Sequence, residues 1–401
     1  MTEGLAVKFL HTSDWHIGKT LKGRNRLDEQ QDVLREIIRI SRQQQFDAVL
    51  LAGDLYETSA PSADAQKLVV RALIELRRTG AEIIAIAGNH DHAGTFDAYR
   101  PLMQAGGIHL VGTPRAPSDG GVVSFDARST GERVNVAVLP FVSQRYAIRA
   151  VELLSGTPAD HVGKYDQQIR DILANLKTGF TPNAVNIIMA HLTVTGAKMG
   201  GGERAAQSIF EYHVPASAFG ADPHYVALGH LHRRQAVPAP CPVHYSGSPI
   251  AVDFGEQDNT SVLLAVEATP STPAKITEIR LSSGRKLRTV RGTVAELLGR
   301  TEEFGEDYLR VYVREPTRAG LREDIQEALP NALEIRIDPE FAAPTTRANA
   351  ASTGADHTPG ELFAAYCAEN TIDDQRVRSL FARLHDEETG ADKATAARFG
   401  D

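Results

Sequence analysis

The sequence predicts an α/β protein in which short buried strands alternate with amphipathic helices, followed by a smaller α+β unit. Three observations carry this. Apolar, β-rich runs such as Val7 to Thr12 (VKFLHT) and Ala48 to Ala52 (AVLLA) break off into polar loops. Between them, apolar residues recur at helical spacing. At 401 residues, the chain is also long enough for one large domain plus smaller appended units.

Val7 to Thr12 is the first strand. Leu27, Val33, Leu34, Ile37 and Ile38 then keep helical spacing to about Gln44, and Ala48 to Ala52 completes a βαβ unit. Ser62, just after Pro61, caps a helix with an apolar face of Leu68, Val69, Ala72, Leu73 and Leu76 that stops before Gly80. Glu82 to Ala87 is the third strand. Further β-rich runs cover Gly121 to Phe125, Val134 to Leu139, Val185 to Ala190 and Tyr225 to Leu228, with a helix from about Lys164 to Leu176. From about Leu281 the order becomes strand (Leu287 to Val290), helix (Thr293 to Leu298), strand (Tyr308 to Val313), helix (Leu321 to Leu329) and strand (Leu333 to Ile337).

Phe341 to His357 is rich in Ala, Thr, Pro and Gly without apolar periodicity, which predicts a linker. Thr358-Pro359-Gly360-Glu361 fits a capping box with Pro at the first helical position, opening a helix with Leu362, Phe363 and Tyr366 on one side. A second helix starts near Thr371 to Asp374 and carries Val377, Leu380, Phe381 and Leu384. The expected layout is therefore a main domain over 1–280, an α+β unit over 281–340, a linker over 341–357, helices over 358–387 and a disordered tail over 388–401.

The hydrophobic fraction of 42% and charged fraction of 23% are those of a globular protein. The start has no basic segment leading into an apolar one, and no apolar run reaches bilayer-spanning length, which argues for the cytoplasm and against a membrane. Cys241 and Cys367 are too few for a disulfide framework and lack CxxC spacing; both read as packing residues. The formal net charge of −8 requires any grip on nucleic acid to be local or shared. Local basic clusters are Lys19, Lys22, Arg24 and Arg26, then Arg233 and Arg234, then Arg285, Lys286, Arg288 and Arg291, each of which also reads as a solvated face.

Five segments carry chemistry: Asp14-Trp15-His16, Gly53-Asp54, Gly88-Asn89-His90-Asp91, His191, and Gly229-His230-Leu231-His232. Each follows a buried strand, so parallel or mixed strands would deliver carboxylate, amide and imidazole groups to one rim of a sheet, where ligands gather in open α/β folds. Mixed O and N donors suit manganese first, or iron or zinc, better than magnesium or a thiolate-bound zinc. Two ions would let one carboxylate, most naturally Asp54, bridge them and clamp a phosphodiester. Gly53, Gly88 and Gly229 stand where a side chain would crowd the metal or substrate. His90, beside Asn89, is placed to protonate a leaving oxygen, with Asp91 as a partner fixing its tautomer. Any one of these residues alone is as well read as a turn or a satisfied polar group, and only the ordered set makes a metal centre. The remaining histidines, among them His11, His92, His109, His213, His224 and His244, read as structural or surface residues.

With DxH, GD, GNHD, His and GHxH in that order, the chain resembles the calcineurin-like metallophosphoesterase superfamily. It is more closely similar to the nuclease-subunit family of the bacterial SbcCD complex in HTSDWHIGKTLKGRNRLDEQ, GDLYETSAPS, GGGER (Gly200 to Arg204), YVALGHLHRRQAV and YSGSPIAVDFGE. The resemblance implies a four-layer α/β/β/α sandwich, a small capping domain that touches DNA, and carboxy-terminal helices that dock on the SbcC ATPase. It implies that Asp14, His16, Asp54 and His232 hold one ion, that Asp54, Asn89, His191 and His230 hold the other, and that His90 is catalytic. It further implies a homodimer of nuclease subunits within a heterotetramer, a 3′ to 5′ exonuclease on duplex ends and an endonuclease on single strands and hairpins. Archaeal and eukaryotic relatives often carry His where this chain has Glu57, which reads as orienting His90 or a ligand or as merely sitting in the loop. No P-loop, GxxxxGK[ST], occurs, so ATP falls to another chain. Two other readings are a phosphoesterase for a small phosphodiester or phosphoprotein, and a DNA scaffold that has lost its ions.

Overall fold

The computed structural model describes residues 6–143, 165–203 and 213–341, with helical residues 363–364, 366–368, 375–377 and 379–381 beyond them. The chain divides into a unit of Met1–Ala342 and a unit of Ala343–Asp401.

Helix α1 (Leu27–Gln44) follows β1 (Val7–Thr12) and turns Val33, Leu34, Ile37 and Ile40 inward. Asp28 and Glu29 in its first turn and Arg42 in its last complement the helix dipole. β2 (Ala48–Leu51) leads to α2 (Ala63–Arg77), where Ser62 caps by accepting a hydrogen bond from the Ala65 amide. β3 (Glu82–Ile86), α3 (Ala93–Gln104) and β4 (Ile108–Val111) follow. The sequence reading missed α3 and β4. α3 buries only Phe96 and contains Pro101, so its apolar periodicity is faint. His92, expected to be structural, is its cap, its ring nitrogen accepting from the Thr95 amide.

Next come β5 (Val122–Asp126), β6 (Arg133–Leu139), α4 (Tyr165–Lys177) and β7 (Val185–His191). The short pair β8 (Thr193–Val194) and β9 (His213–Val214) precedes β10 (Tyr225–Gly229), β11 (Gln235–Val237) and β12 (Val243–Tyr245). The long hairpin β13 (Val262–Thr269) and β14 (Thr272–Arg280), also missed, closes the set.

Two six-stranded sheets result, ordered β14-β13-β1-β2-β3-β4 and β11-β12-β10-β7-β6-β5. They face each other across a dry core to which one contributes Phe9, Leu50 and Ile84 and the other Val136, Ile187 and Ala227. α1 and α2 cover the outer face of the first and α4 that of the second, giving α/β/β/α layers. Strands buried on both faces explain the near-continuous apolar runs of β2 and β7.

Beyond Leu281 a separate parallel sheet, β15 (Leu287–Gly292), β16 (Tyr308–Val313) and β17 (Ala332–Ile337), packs on α5 (Val294–Leu298), α6 (Thr301–Phe304) and α7 (Leu321–Ala328). Thr293 and Glu296 form a capping box at α5. In the second unit, the Phe363 and Phe381 rings stack with centroids 4.0 Å apart. The linker from residue 342 and the tail expected after 387 lie outside the described residues.

Candidate metal centre

The sequence reading put the candidate ligands on one sheet, but the rim belongs to two. Asp14, His16, Asp54 and Asn89 follow β1, β2 and β3 of the first sheet, whereas His191, His230 and His232 come from β7 and β10 of the second. The loops are stitched together by the backbone: the Asp14 amide donates to the Gly53 carbonyl at 3.0 Å and the His16 amide to the Asp54 carbonyl at 3.0 Å. Asp14 (φ 55), His16 (φ 47), Asp54 (φ 52) and His230 (φ 99) all take left-handed backbone conformations, which non-glycine residues adopt at a cost. Such strain at four neighbouring polar residues marks a site held in shape by its surroundings. At Gly53, also at positive φ, an added Cβ would collide with the His191 ring, and at Gly88 with the Asp54 carboxylate. These two glycines leave room for ligand side chains, as their positions in the sequence suggested.

Asp14, His16 and His232 bring ligand atoms within 4.8 Å of one another, and so do Asp54, His191 and His230. Asp54 Oδ2 lies 3.8 Å from His16 Nε2 and 3.4 Å from His191 Nε2, between the two groups. Asn89 Oδ1 completes the second, 2.9 Å from His191 Nε2 and 2.8 Å from His230 Nδ1. All seven predicted ligands therefore converge.

The tautomers follow from the partners. His16 Nδ1–H donates to Glu57 Oε2 at 2.9 Å, and His232 Nδ1–H donates to Glu256 Oε1 at 2.6 Å. Each ring is left with a lone pair on Nε2, and these two nitrogens face each other at 3.0 Å. His191 Nδ1–H donates to the Ala52 carbonyl at 2.8 Å, so its Nε2 lone pair meets the Asn89 carbonyl oxygen. Lone pair against lone pair is unfavourable unless a proton or a cation lies between, and a carboxylate behind an imidazole is the usual support of a metal ligand. The residues fit a pair of divalent cations.

Without a cation, protons take that place. Burial opposes charge on His191, but the Asp54 carboxylate outweighs it and raises the imidazole to about 9. His232 is likewise lifted against its burial to about 9 by Glu256 and Asp14. For Asp54, burial pushes the carboxyl up, but His191 and His16 hold it far below the usual carboxylate range. His230 is driven well down by burial and by His191.

His90 and Asp91 depart from expectation. His90 Nδ1–H donates to the Glu57 carbonyl at 2.6 Å, so Glu57 rather than Asp91 provides its Nδ1 partner. Asp91 instead accepts from the amides of Gly88 (2.9 Å), Leu55 (3.2 Å) and Tyr56 (3.0 Å), tying the two ligand loops together. The chain reversal at Gly88 to Asp91 turns that short carboxylate back onto its own loop. The Glu57 carbonyl accepts from His90, and its carboxylate bridges His16 and Lys19 Nζ (2.8 Å). Burial raises the Glu57 carboxyl, but those two partners outweigh it and bring it to about 2. The His90 imidazole is lowered to about 4, chiefly by burial.

Residues the sequence reading missed support the ligands from behind. Glu256, 1% exposed, also accepts the Val252 amide at 2.8 Å. Glu203 accepts the amides of Gly200, Gly201 and His232. Ser13 donates to Asp14 Oδ2 at 2.6 Å and meets Ser246, and Ser248 donates to the Asp14 carbonyl at 2.7 Å. Glu203 stands in GGGER, where a lone carboxylate in a glycine-rich loop was the available signal, and Glu256 in DFGE, where a carboxylate just after a glycine was the only hint.

Several basic residues are occupied. Arg26, 2% exposed, binds Glu29 and the Ala251 carbonyl. Lys22 pairs with Asp253 and Glu334, Arg234 with Glu278, Arg285 with Glu306, Arg288 with Asp307, and Arg291 with Asp338. Arg24, Arg233 and Lys286 stay exposed and make no ion pair among the described residues.

Comparison with known proteins matches residues 7–234 to the calcineurin-like phosphoesterase family and residues 283–371 to a family described as the type 5 capsule protein repressor C-terminal domain. The chain is 38% identical over 285 residues to the SbcD component of nuclease SbcCD from Bacillus subtilis (strain 168), spanning 70% of this chain and 71% of that one. To the SbcD component from Escherichia coli (strain K12) it is 28% identical over 305 residues, 74% of each chain. A solved dimetal phosphatase from Danio rerio aligns over 69% of this chain and 100% of its own at 14% identity, with a TM-score of 0.37.

Proposed function

The chain belongs to the SbcD family of calcineurin-like phosphoesterases, and from that membership we propose a two-metal DNA nuclease that works with a separate ATPase in DNA repair, recombination and replication. It is a hydrolase of phosphodiester bonds and binds divalent metal. The finer reading is a 3′ to 5′ exonuclease on duplex ends and an endonuclease on single strands and hairpins, with manganese as the preferred ion. The observation that carries the centre is the 3.0 Å approach of the His16 and His232 Nε2 atoms, each ring backed by a carboxylate.

In this reading Asp14, His16, Asp54 and His232 hold one ion and Asp54, Asn89, His191 and His230 the other, with Asp54 shared. When bound, the ions supply Lewis acidity to both the attacking and leaving sides of the phosphodiester. The protein holds seven ligands at the rim through backbone strain and carboxylate supports, so little reorganisation accompanies reaction. His90, its Nδ1–H engaged by the Glu57 carbonyl, exchanges protons with substrate through Nε2. Burial holds its imidazole neutral in the bare site, and Nε2 is the atom placed to carry a proton to or from the substrate oxygens.

Arg24, Arg233 and Lys286 are the exposed cations that support DNA binding near the rim and the 281–340 unit, the proposed capping domain after a 1–280 nuclease domain. Tyr366, Val377 and Leu380 in the 358–387 helices are 53%, 37% and 47% exposed, which suits docking on the SbcC ATPase after the 341–357 linker. Tyr99 and Leu102 of α3, 45% and 74% exposed, support a homodimer within the heterotetramer. Among the described residues no helix is long and apolar enough to cross a membrane, and the cytoplasm is the proposed location.

The test is manganese-dependent cleavage of a labelled hairpin-ended duplex, with and without the partner ATPase and ATP, beside Asn89→Ala and His90→Ala. Metal-dependent cutting that the partner and ATP stimulate, and that both variants abolish, supports the reading. Hydrolysis of small phosphodiesters with no cutting of DNA would instead favour a phosphoesterase for small substrates.

A further inference from the structure

Among the described residues the core between the two sheets is mostly apolar; near the rim the His191–Ala52, His230–Asp14 and Ser13–Ser246 contacts cross it, and one further buried polar link lies deeper, on β1 and β10. His11 lies on β1 with the parity of Val7 and Phe9, which face the second sheet, and it is fully buried. His11 Nε2–H donates across the gap to the Leu228 carbonyl of β10 at 3.2 Å, and His11 Nδ1 accepts from the Tyr225 hydroxyl of the same strand at 2.8 Å. Both acceptor and donor are used, so the tautomer is fixed and the ring is neutral. Tyr225 in turn stacks on His244 of β12, with centroids 5.7 Å apart.

β1 ends in the loop bearing Asp14 and His16, and β10 ends in the loop bearing His230 and His232. The link is thus made between the two strands whose loops meet in the site, three residues before Asp14 and two before His230. Apolar contact resists separation of the sheets but is not directional, so it sets their relative slide weakly. A saturated hydrogen-bond pair in a dry core has one good geometry. Both ligand groups draw donors from both sheets, so a slide of a fraction of an ångström would open each of them.

We propose that His11 is a positioning residue: a hydrogen-bonded bolt between the sheets that sets the spacing of both metal-ligand groups without touching either. This rests on the two-ion reading and adds a determinant outside the ligand shell. It differs from a support such as Glu256, which holds one ligand, because loss of the bolt weakens both ions together.

The experiment is calorimetric titration of Mn2+ into the metal-free full-length chain as wild type, His11→Phe, His11→Gln and Tyr225→Phe, with the thermal midpoint of each metal-free protein alongside. His11→Phe fills the site with apolar bulk but leaves the buried Tyr225 hydroxyl without its acceptor, so its metal-free midpoint is expected to fall modestly while both Mn2+ affinities fall by about tenfold or more, the scale of a lost support. His11→Gln, whose side-chain amide can donate to the Leu228 carbonyl while its oxygen accepts from Tyr225, is expected to restore both. Tyr225→Phe removes half of the link and is expected to fall between, which keeps the idea testable if His11→Phe does not fold. Undiminished affinities in the foldable variants, or a His11→Gln protein as weak as Tyr225→Phe or weaker, would overturn the proposal. A wild-type chain that binds no Mn2+ would instead sink the metal reading.

Discussion

Glu256→Gln is the sharpest probe of how the centre is built. Glu256 accepts two hydrogen bonds, from His232 Nδ1–H at 2.6 Å and from the Val252 amide at 2.8 Å, in a setting only 1% exposed. Glutamine keeps the shape but offers one oxygen and one NH2. If the oxygen stays on Val252, the NH2 faces His232 Nδ1, which must become an acceptor and carry its proton on Nε2 instead. The nitrogen 3.0 Å from His16 Nε2 then has no lone pair for an ion. If the oxygen turns to His232, the Val252 amide is left against a donor. Losing such a support weakens metal binding by roughly 10- to 100-fold, or about 1.4 to 2.7 kcal/mol. The loss should fall on the ion shared by Asp14, His16 and His232, while the Asn89, His191 and His230 group, which makes no contact with Glu256, keeps its affinity. Calorimetric titration of Mn2+ resolves the two. Equal weakening of both ions, or two undiminished affinities, would refute the reasoning.

Metal binding should release protons at neutral pH. His191 and His232 are lifted to about 9 in the metal-free chain, so each is protonated at pH 7 and must give up its proton to an ion; affinity should rise with pH up to that range. The same sign gives metal-free stability that is full below the unfolded histidine pKa of about 6.5 and is lost as pH rises toward 9. Titrations in buffers of different ionisation enthalpy measure the release, and none at pH 7 would contradict the assigned partners. Gly88→Ala drives a methyl into the Asp54 carboxylate and should abolish binding of both ions, read by metal analysis of purified protein. Glu36→Gln removes the carboxylate that accepts the Ser282 amide (3.0 Å), the Ser282 hydroxyl (2.7 Å) and the Ser283 amide (2.7 Å), and should cost about 1–3 kcal/mol in denaturant unfolding. Burial raises the Glu36 carboxyl but those bonds bring it below its usual value, so their contribution is present above the unfolded pKa of about 4.3 and should fade as pH drops through the folded one.

The candidate ligands could be picked out because each is a polar residue stranded at the end of a buried apolar run, a pattern that strand geometry and the cost of burying unpaired charge make meaningful. The α/β class and most elements were legible for the same reason of periodicity. Strand β13 was missed although it pairs with β1 at the centre of the first sheet, since nothing local says which strand a run will join. The role of Asp91 was misjudged because adjacency in sequence placed it beside His90, whereas its carboxylate is turned onto the amides of Gly88, Leu55 and Tyr56. Glu203, Glu256 and His11 carry no local signal of what they support: their partners lie on other strands and loops.

By itself, then, the sequence determined the layer class, the positions at which strands end, and the chemical kinds of donor placed there, because these follow from side-chain polarity and spacing along one segment. Only the tertiary structure decided that the donors come from two sheets rather than one, which nitrogen of each imidazole faces the site, and which carboxylates stand behind them. Those are relations between segments far apart in the chain, fixed by how two sheets pack and by which hydrogen bonds survive in a dry interior.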